Sequence, residues 1–260
     1  MAAGLAYFCG ATSALGHEHD AHLIPEDSVF SQYYFGGAVN LSTSYYLNVL
    51  DALNDAYAHG VFARAIVIPS FQNEYAVAIA KSESSYRIIH IEVDTHLWLF
   101  ESLEDLKSGA VRIVDDDDGS KLAAEIRELE EYLPESPEDV SVTRCVREIP
   151  SQLGKDLYVL WADMLYRTRY PDKRPVNPDD DIDDIVIGVD GITYHFSFEY
   201  SDGRLTGKVW SPDKDSSTGK FVAITNLLRK ACHAPDGKKI LDEIDRQIGE
   251  MNQELSKSAY

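Results

Sequence analysis

The stretch from Ile185 to Pro212, IVIGVDGITYHFSFEYSDGRLTGKVWSP, limits what this chain can fold into more than any other. Tyr194, Phe196 and Phe198 alternate with His195, Ser197 and Glu199, the period of a strand with one buried face. Asp190-Gly191 and Asp202-Gly203 punctuate the stretch, and such dipeptides tolerate the positive φ of a tight hairpin. The pattern predicts a β-meander over residues 185–212. A helix is expected on either side of it, so an antiparallel sheet must be buried under helices. The fold class that follows is α+β.

The remainder of the chain extends this reading. Tyr45, Tyr46, Val49, Leu50, Leu53, Ala56 and Tyr57 recur at helical spacing and end near Gly60. Four strands are expected next, at Ala65–Ile68, Tyr75–Ala80, Tyr86–Val93 and His96–Phe100. Their short gaps require hairpins, because parallel neighbours need long crossovers. A charged helix is predicted from Lys121 to Leu133. Pro134-Glu135-Ser136-Pro137-Glu138-Asp139 then offers two prolines and no apolar anchor, the best boundary in the sequence. It divides the chain into two α+β subdomains, 17–133 and 139–260. In the second, Val140–Val146 reads as a strand, and Leu153, Leu157, Leu160, Trp161, Met164 and Leu165 form a helical stripe. Ser216-Ser217-Thr218-Gly219 supplies N-caps for a further helix, and Lys238–Leu255 makes the last one. At 260 residues, 44% of them hydrophobic, the chain is long enough to bury cores for one or two domains.

Charge narrows the partners. A formal net charge of −20 argues against nucleic acid and against anionic lipid, both of which need basic patches. It suits a basic protein partner. Residues 1–16 are small and apolar, and Ala14-Leu15-Gly16 fits a small-x-small cleavage pattern without the basic n-region of a secretory signal. Periplasmic location is the expectation from this segment, with the cytoplasm as the alternative, and no membrane insertion of the mature chain is expected. Cys145 and Cys232 remain beyond that segment, compatible either with one disulfide in an oxidising compartment or with two buried thiols.

Three features carry side chains able to hold ions. His17, His19 and His22 lie within six residues, and imidazole is a common ligand for zinc and copper. The spacing approaches the H-x-H-x-D-H of metallo-β-lactamase-like hydrolases, but Ala21 stands in the aspartate slot. Asp115, Asp116, Asp117 and Asp118 run consecutively, and Asp179, Asp180, Asp181, Asp183 and Asp184 follow farther on. Alternate aspartates mimic the opening of an EF-hand loop, yet Asp184 occupies the position that demands glycine. Both runs read as solvated acidic loops. No cofactor is expected, and zinc, copper or calcium would enter only through these clusters. The chain lacks a Gly-rich phosphate loop, a G-x-S-x-G elbow, an H-E-x-x-H pair and a CxxC pair, which lowers the odds of an enzyme.

Asp190-Gly191-Ile192-Thr193-Tyr194-His195-Phe196-Ser197, followed by Gly207-Lys208-Val209-Trp210-Ser211-Pro212 and a helix, resembles the C-terminal portion of uncharacterised bacterial envelope proteins. In general organisation this part, roughly residues 150–235, is similar to immunity proteins that protect a bacterium from toxins delivered between cells. The resemblance implies a non-enzymatic inhibitor that covers a toxin's active site. Two readings are therefore open. In the first, the acidic runs steer association with a basic toxin, and exposed aromatics, Tyr200 and Trp210, anchor it. In the second, His17, His19 and His22 serve a metal-dependent hydrolase.

Overall fold

The computed structural model describes residues 22–25, 43–83, 85–109, 120–169 and 191–257. Its centre is one six-stranded sheet, antiparallel throughout. The strands are β1 (Val61–Pro69), β2 (Tyr75–Lys81), β3 (Tyr86–Val93), β4 (Val142–Ile149), β5 (Ile192–Tyr200) and β6 (Gly203–Trp210). They lie in the order β4-β3-β2-β1-β5-β6. The helices are α1 (Thr43–Ala52), α2 (Trp98–Ser108), α3 (Ser120–Tyr132), α4 (Ser151–Tyr166), α5 (Ser217–His233) and α6 (Lys238–Lys257). The α+β class expected from the meander is the class observed.

Alternation along the strands sorts side chains into two cores. On one face Val77, Ile79, Ile88, Tyr194, Phe196 and Phe198 meet the apolar stripes of α4, α5 and α6. Trp161 of α4 stands edge-on to Phe221 of α5 at 4.5 Å, and Phe196 of β5 lies 4.5 Å from the same ring. All three are fully buried, and each contributes on the order of 2–3 kcal/mol through removal of apolar surface from water. Gly154 lets α4 come down on β3, since a Cβ there would fall 2.1 Å from the Tyr86 ring. On the other face α1 and a 3-10 turn at Asn54–Tyr57 cover Ile66, Ala76, Ala78, Ala80 and Ile91. The alanines of β2 leave room for a helix to approach closely.

Strands from both sides of the Pro134–Asp139 segment share the sheet: β4 pairs with β3, and β5 pairs with β1. The two expected subdomains thus contribute to one layer. Local expectations fare differently. α5 begins with Ser216 as its cap, its Oγ accepting the Gly219 N–H at 2.9 Å. The stretch His96–Phe100, expected as a strand, instead opens α2, with Leu97, Leu103 and Leu106 buried at helical spacing. In the meander, β5 and β6 form the hairpin, while residues 185–190 lie outside the described part. The hairpin turns at Ser201-Asp202, and neither these residues nor Gly203 takes positive φ. The described residues that do are Gly60, Gly109 and Ser211.

One short segment has no counterpart in the sequence reading. Leu23 is fully buried in the first core, and Ile24 exchanges backbone hydrogen bonds with Lys208 of the edge strand β6 (2.9 and 2.7 Å). Among the described residues no helix is long and apolar enough to cross a membrane.

Candidate functional site

The described residues cover the α1 face of the sheet only in part. Beside α1, where β1 meets β5, two cavities open side by side and share Tyr46, Ile68 and Thr193 in their walls. The first, 270 Å³, is completed by Ile24, His195, Lys208, Val209 and Trp210. The second, 330 Å³, is completed by Tyr45, Pro69, Ser70, Phe71, His96 and Trp98. Together they make a groove edged by unusually exposed aromatic rings: Phe71 is 76% accessible, Trp98 48% and Trp210 49%. Isolated exposed apolar residues are ordinary; here three large rings lie along one groove.

A buried carboxylate stands behind the second cavity. Glu74, just ahead of β2, has no solvent access. Its Oε1 accepts the Tyr45 hydroxyl at 2.6 Å, and its Oε2 accepts the Leu97 backbone N–H at 3.0 Å. Leu97 immediately precedes α2, so Glu74 places negative charge at the positive end of that helix. His96 Nε2 lies 3.3 Å from Glu74 Oε1. Burial, reinforced by the Glu74 carboxylate, pushes the Tyr45 phenol well above its ordinary pKa, so it stays a donor. Tyr45 also organises the rings around it: Trp98 meets it edge-on at 5.1 Å and Tyr46 tilts against it at 5.2 Å.

Farther along the same face, Arg64 of β1 is buried with its guanidinium 4.2 Å over the Tyr57 ring. Its Nη2 donates to Glu199 Oε1 at 2.6 Å, and Arg204 Nε donates to the same oxygen at 2.5 Å. Glu199 is thereby clamped between two guanidiniums.

A second polar network sits on the opposite face, between β3 and α5. His90 is fully buried, with Nδ1 2.7 Å from His233 Nε2. Arg229 of α5 donates to both oxygens of Glu92 (2.8 and 2.7 Å) and lies 4.3 Å over the Tyr75 ring. The Tyr75 hydroxyl donates to Asn226 Oδ1 at 3.0 Å. Burial, then His233 and Arg229, lowers the His90 pKa to about 3, so the imidazole is neutral. On its flank Cys145 of β4 and Cys232 of α5 are joined in a disulfide with Cα atoms 5.9 Å apart. This network joins helix to sheet.

The residues singled out in the sequence are dispersed. Asp115–Asp118, Asp179–Asp184, His17 and His19 lie outside the described part. His22 is described: its Nδ1 is buried without a hydrogen-bond partner, and its pKa is lowered by burial, then by the charges of Arg169 and Arg167. Among the described residues no group of three His, Cys, Asp or Glu side chains is placed to hold a metal. Trp210 and Tyr200 fall at opposite ends of the β5–β6 hairpin, paired with Thr193 and Gly203. Trp210 edges the groove; Tyr200 folds over the turn, its hydroxyl 2.9 Å from where a Cβ on Gly203 would lie. Tyr45, Phe71, Glu74, His96 and Trp98 were not anticipated as a site. No motif spacing joins them, and the one legible hint was an apolar helix carrying adjacent tyrosines.

No protein-family model matches the chain, and comparison with curated proteins and with solved structures finds no significant similarity.

Proposed function

We propose that this chain is a non-enzymatic inhibitor of the immunity type, which binds a basic bacterial toxin and covers its active site. The observation that carries the reading is the groove edged by Phe71, Trp98 and Trp210. Rings of this kind, desolvated at the centre of a contact, supply most of the binding energy in protein complexes. The net charge of −20 adds attraction for a basic partner. The Cys145–Cys232 disulfide fits an oxidising compartment, which supports the periplasm as the place of action. The alternative, a metal-dependent hydrolase using His17, His19 and His22, gains nothing from His22, whose neighbours Arg167 and Arg169 repel a cation.

The test is co-expression with the secreted protein encoded beside its gene. Protection of the host is expected, with a stable complex on purification and weaker protection from Phe71→Ala/Trp98→Ala. A neighbour that kills with or without this chain, and that forms no complex with it, would overturn the reading.

A further inference from the structure

We propose that two copies of this chain associate edge to edge through β4, pairing antiparallel about Val146 so that Arg144 of each copy faces Glu148 of the other. The two ends of the sheet differ. At β6 the chain covers part of its own edge, where Ile24 exchanges backbone hydrogen bonds with Lys208. At β4, the opposite end, no described residue pairs with the outer edge. The groove is remote from this edge, since β3 and β2 lie between β4 and β1. Association through β4 is therefore independent of the inhibitor reading.

The backbone fixes which residues of β4 present their hydrogen-bonding groups outward. Antiparallel neighbours alternate between opposed residues that exchange hydrogen bonds and opposed residues that do not. The Asp94 N–H donates to the Ser141 carbonyl at 2.9 Å, one step beyond the opposed pair Val93 and Val142. Thr143, Cys145, Arg147 and Ile149 therefore turn their backbone groups to β3, and Val142, Arg144, Val146 and Glu148 turn theirs outward. The other side of β3 agrees in phase, for there the Val93 N–H donates to the Glu74 carbonyl, just ahead of β2. An open row of this kind is a template for another strand.

The side chains of the same row complement themselves. Arg144, Val146 and Glu148 share one face, opposite that on which Cys145 is bridged to α5 and Arg147 bonds the Ala234 carbonyl. Val146 is 51% accessible, and Arg144 and Glu148 are exposed. A two-fold axis through Val146 brings the two valines together and opposes each arginine to a glutamate. It also sets outward groups against outward groups, for about six backbone hydrogen bonds. Centring the pair on Cys145 would set Arg144 against Val146 and Glu148 against Val142. Centring it on Arg147 would set Glu148 against Val146. Of these three registers, the one about Val146 matches charge with charge. Arg144 also pairs with Asp55, and a guanidinium with its fork of donors serves two carboxylates. With Arg144, Arg147 and Glu148, β4 is locally basic in a chain of net charge −20, which softens the repulsion between copies.

Sedimentation velocity on the whole chain, from about 5 to about 500 μM, should show a reversible monomer–dimer equilibrium, since one strand per copy makes a small contact. Arg144→Glu and Glu148→Arg each set like charges opposite one another at both ends of the pairing, and each should weaken association at least about tenfold. An equimolar mixture of the two variants opposes glutamate to arginine again and should restore it. Should Arg144→Glu, which loses its Asp55 partner, fail to fold, Val146→Pro answers in its place: it removes an outward N–H that β3 does not use, and must abolish association. Amide exchange reads the register. The N–H groups of Arg144, Val146 and Glu148 should exchange more slowly as concentration rises, while those of Cys145 and Arg147 are already protected in the monomer. A chain that stays monomeric throughout, a dimer indifferent to both charge reversals, or a mixture that does not associate would overturn the proposal. Outward amides already protected in dilute monomer would overturn it too, by showing that the chain covers this edge itself.

Discussion

His90 shows how a single buried imidazole ties stability to pH. In the folded chain burial, His233 and Arg229 hold its pKa near about 3, whereas an unfolded histidine titrates near 6.5. Between those values the unfolded chain takes up a proton that the folded chain does not. The stabilisation is therefore complete above about pH 6.5 and is lost as the pH falls toward 3. Each pH unit within that window costs about 1.4 kcal/mol, so roughly 2 kcal/mol should be gone at pH 5. Carboxylates with lowered pKa, such as Glu243, act in the same direction but at lower pH. His22, whose pKa is also lowered by burial, acts in the same direction, which makes a substitution the cleaner comparison. Urea unfolding of the parent and of His90→Gln at pH 7 and pH 5 should show a much shallower pH dependence in the variant. Equal slopes would mean that His90 takes up its proton as readily in the fold as in the unfolded chain.

Among the strands, β4 is the least buried. It is an edge strand whose residues are mostly exposed or half-buried, with Ile149 its one buried position. Its partner β3, the hydrogen bond from Arg147 to the Ala234 carbonyl and the Cys145–Cys232 disulfide keep it in place. The bridge spans a sequence separation of 87, and closing so long a loop in the unfolded chain is worth about 4.6 kcal/mol on chain-entropy grounds. Cys145→Ser/Cys232→Ala should lower the unfolding free energy by about that amount, and hydrogen exchange should quicken first in β4. A double variant as stable as the parent would show that the bridge constrains nothing. Elements like β5 and α5 were legible because their signals are local: alternation at Tyr194, Phe196 and Phe198, and a serine cap at Ser216. α2 was not, because the apolar run His96–Phe100 carries no period of its own. Its start is set by Glu74, which accepts the Leu97 N–H from 23 residues away in sequence. The groove was illegible for the same reason. Tyr45, Glu74 and Trp98 meet only once α1 packs on β2, and nothing in their spacing records that contact.

At the scale of the whole molecule, the proposed inhibitor would use charge and groove at different stages of binding. With 44 acidic residues against 24 basic ones, the chain attracts a basic partner, but at physiological ionic strength the field reaches only about 8 Å. Exposed charge therefore acts during encounter and sets the association rate. On the inhibitor reading the exposed rings of Phe71, Trp98 and Trp210 would act after water has left, and their loss would appear in dissociation. Replacing Asp115–Asp118, or the five aspartates of 179–184, by asparagine should slow association with the cognate toxin and flatten its salt dependence. Unfolding free energy should stay within about 0.5 kcal/mol of the parent. Phe71→Ala/Trp98→Ala should instead speed dissociation, by roughly tenfold or more if these rings are anchors. Stopped-flow mixing at two ionic strengths separates the two effects. Asparagine variants that associate at the parent rate at both would show that the charge serves solubility alone. Aromatic variants that dissociate no faster than the parent would place the centre of the contact away from the groove.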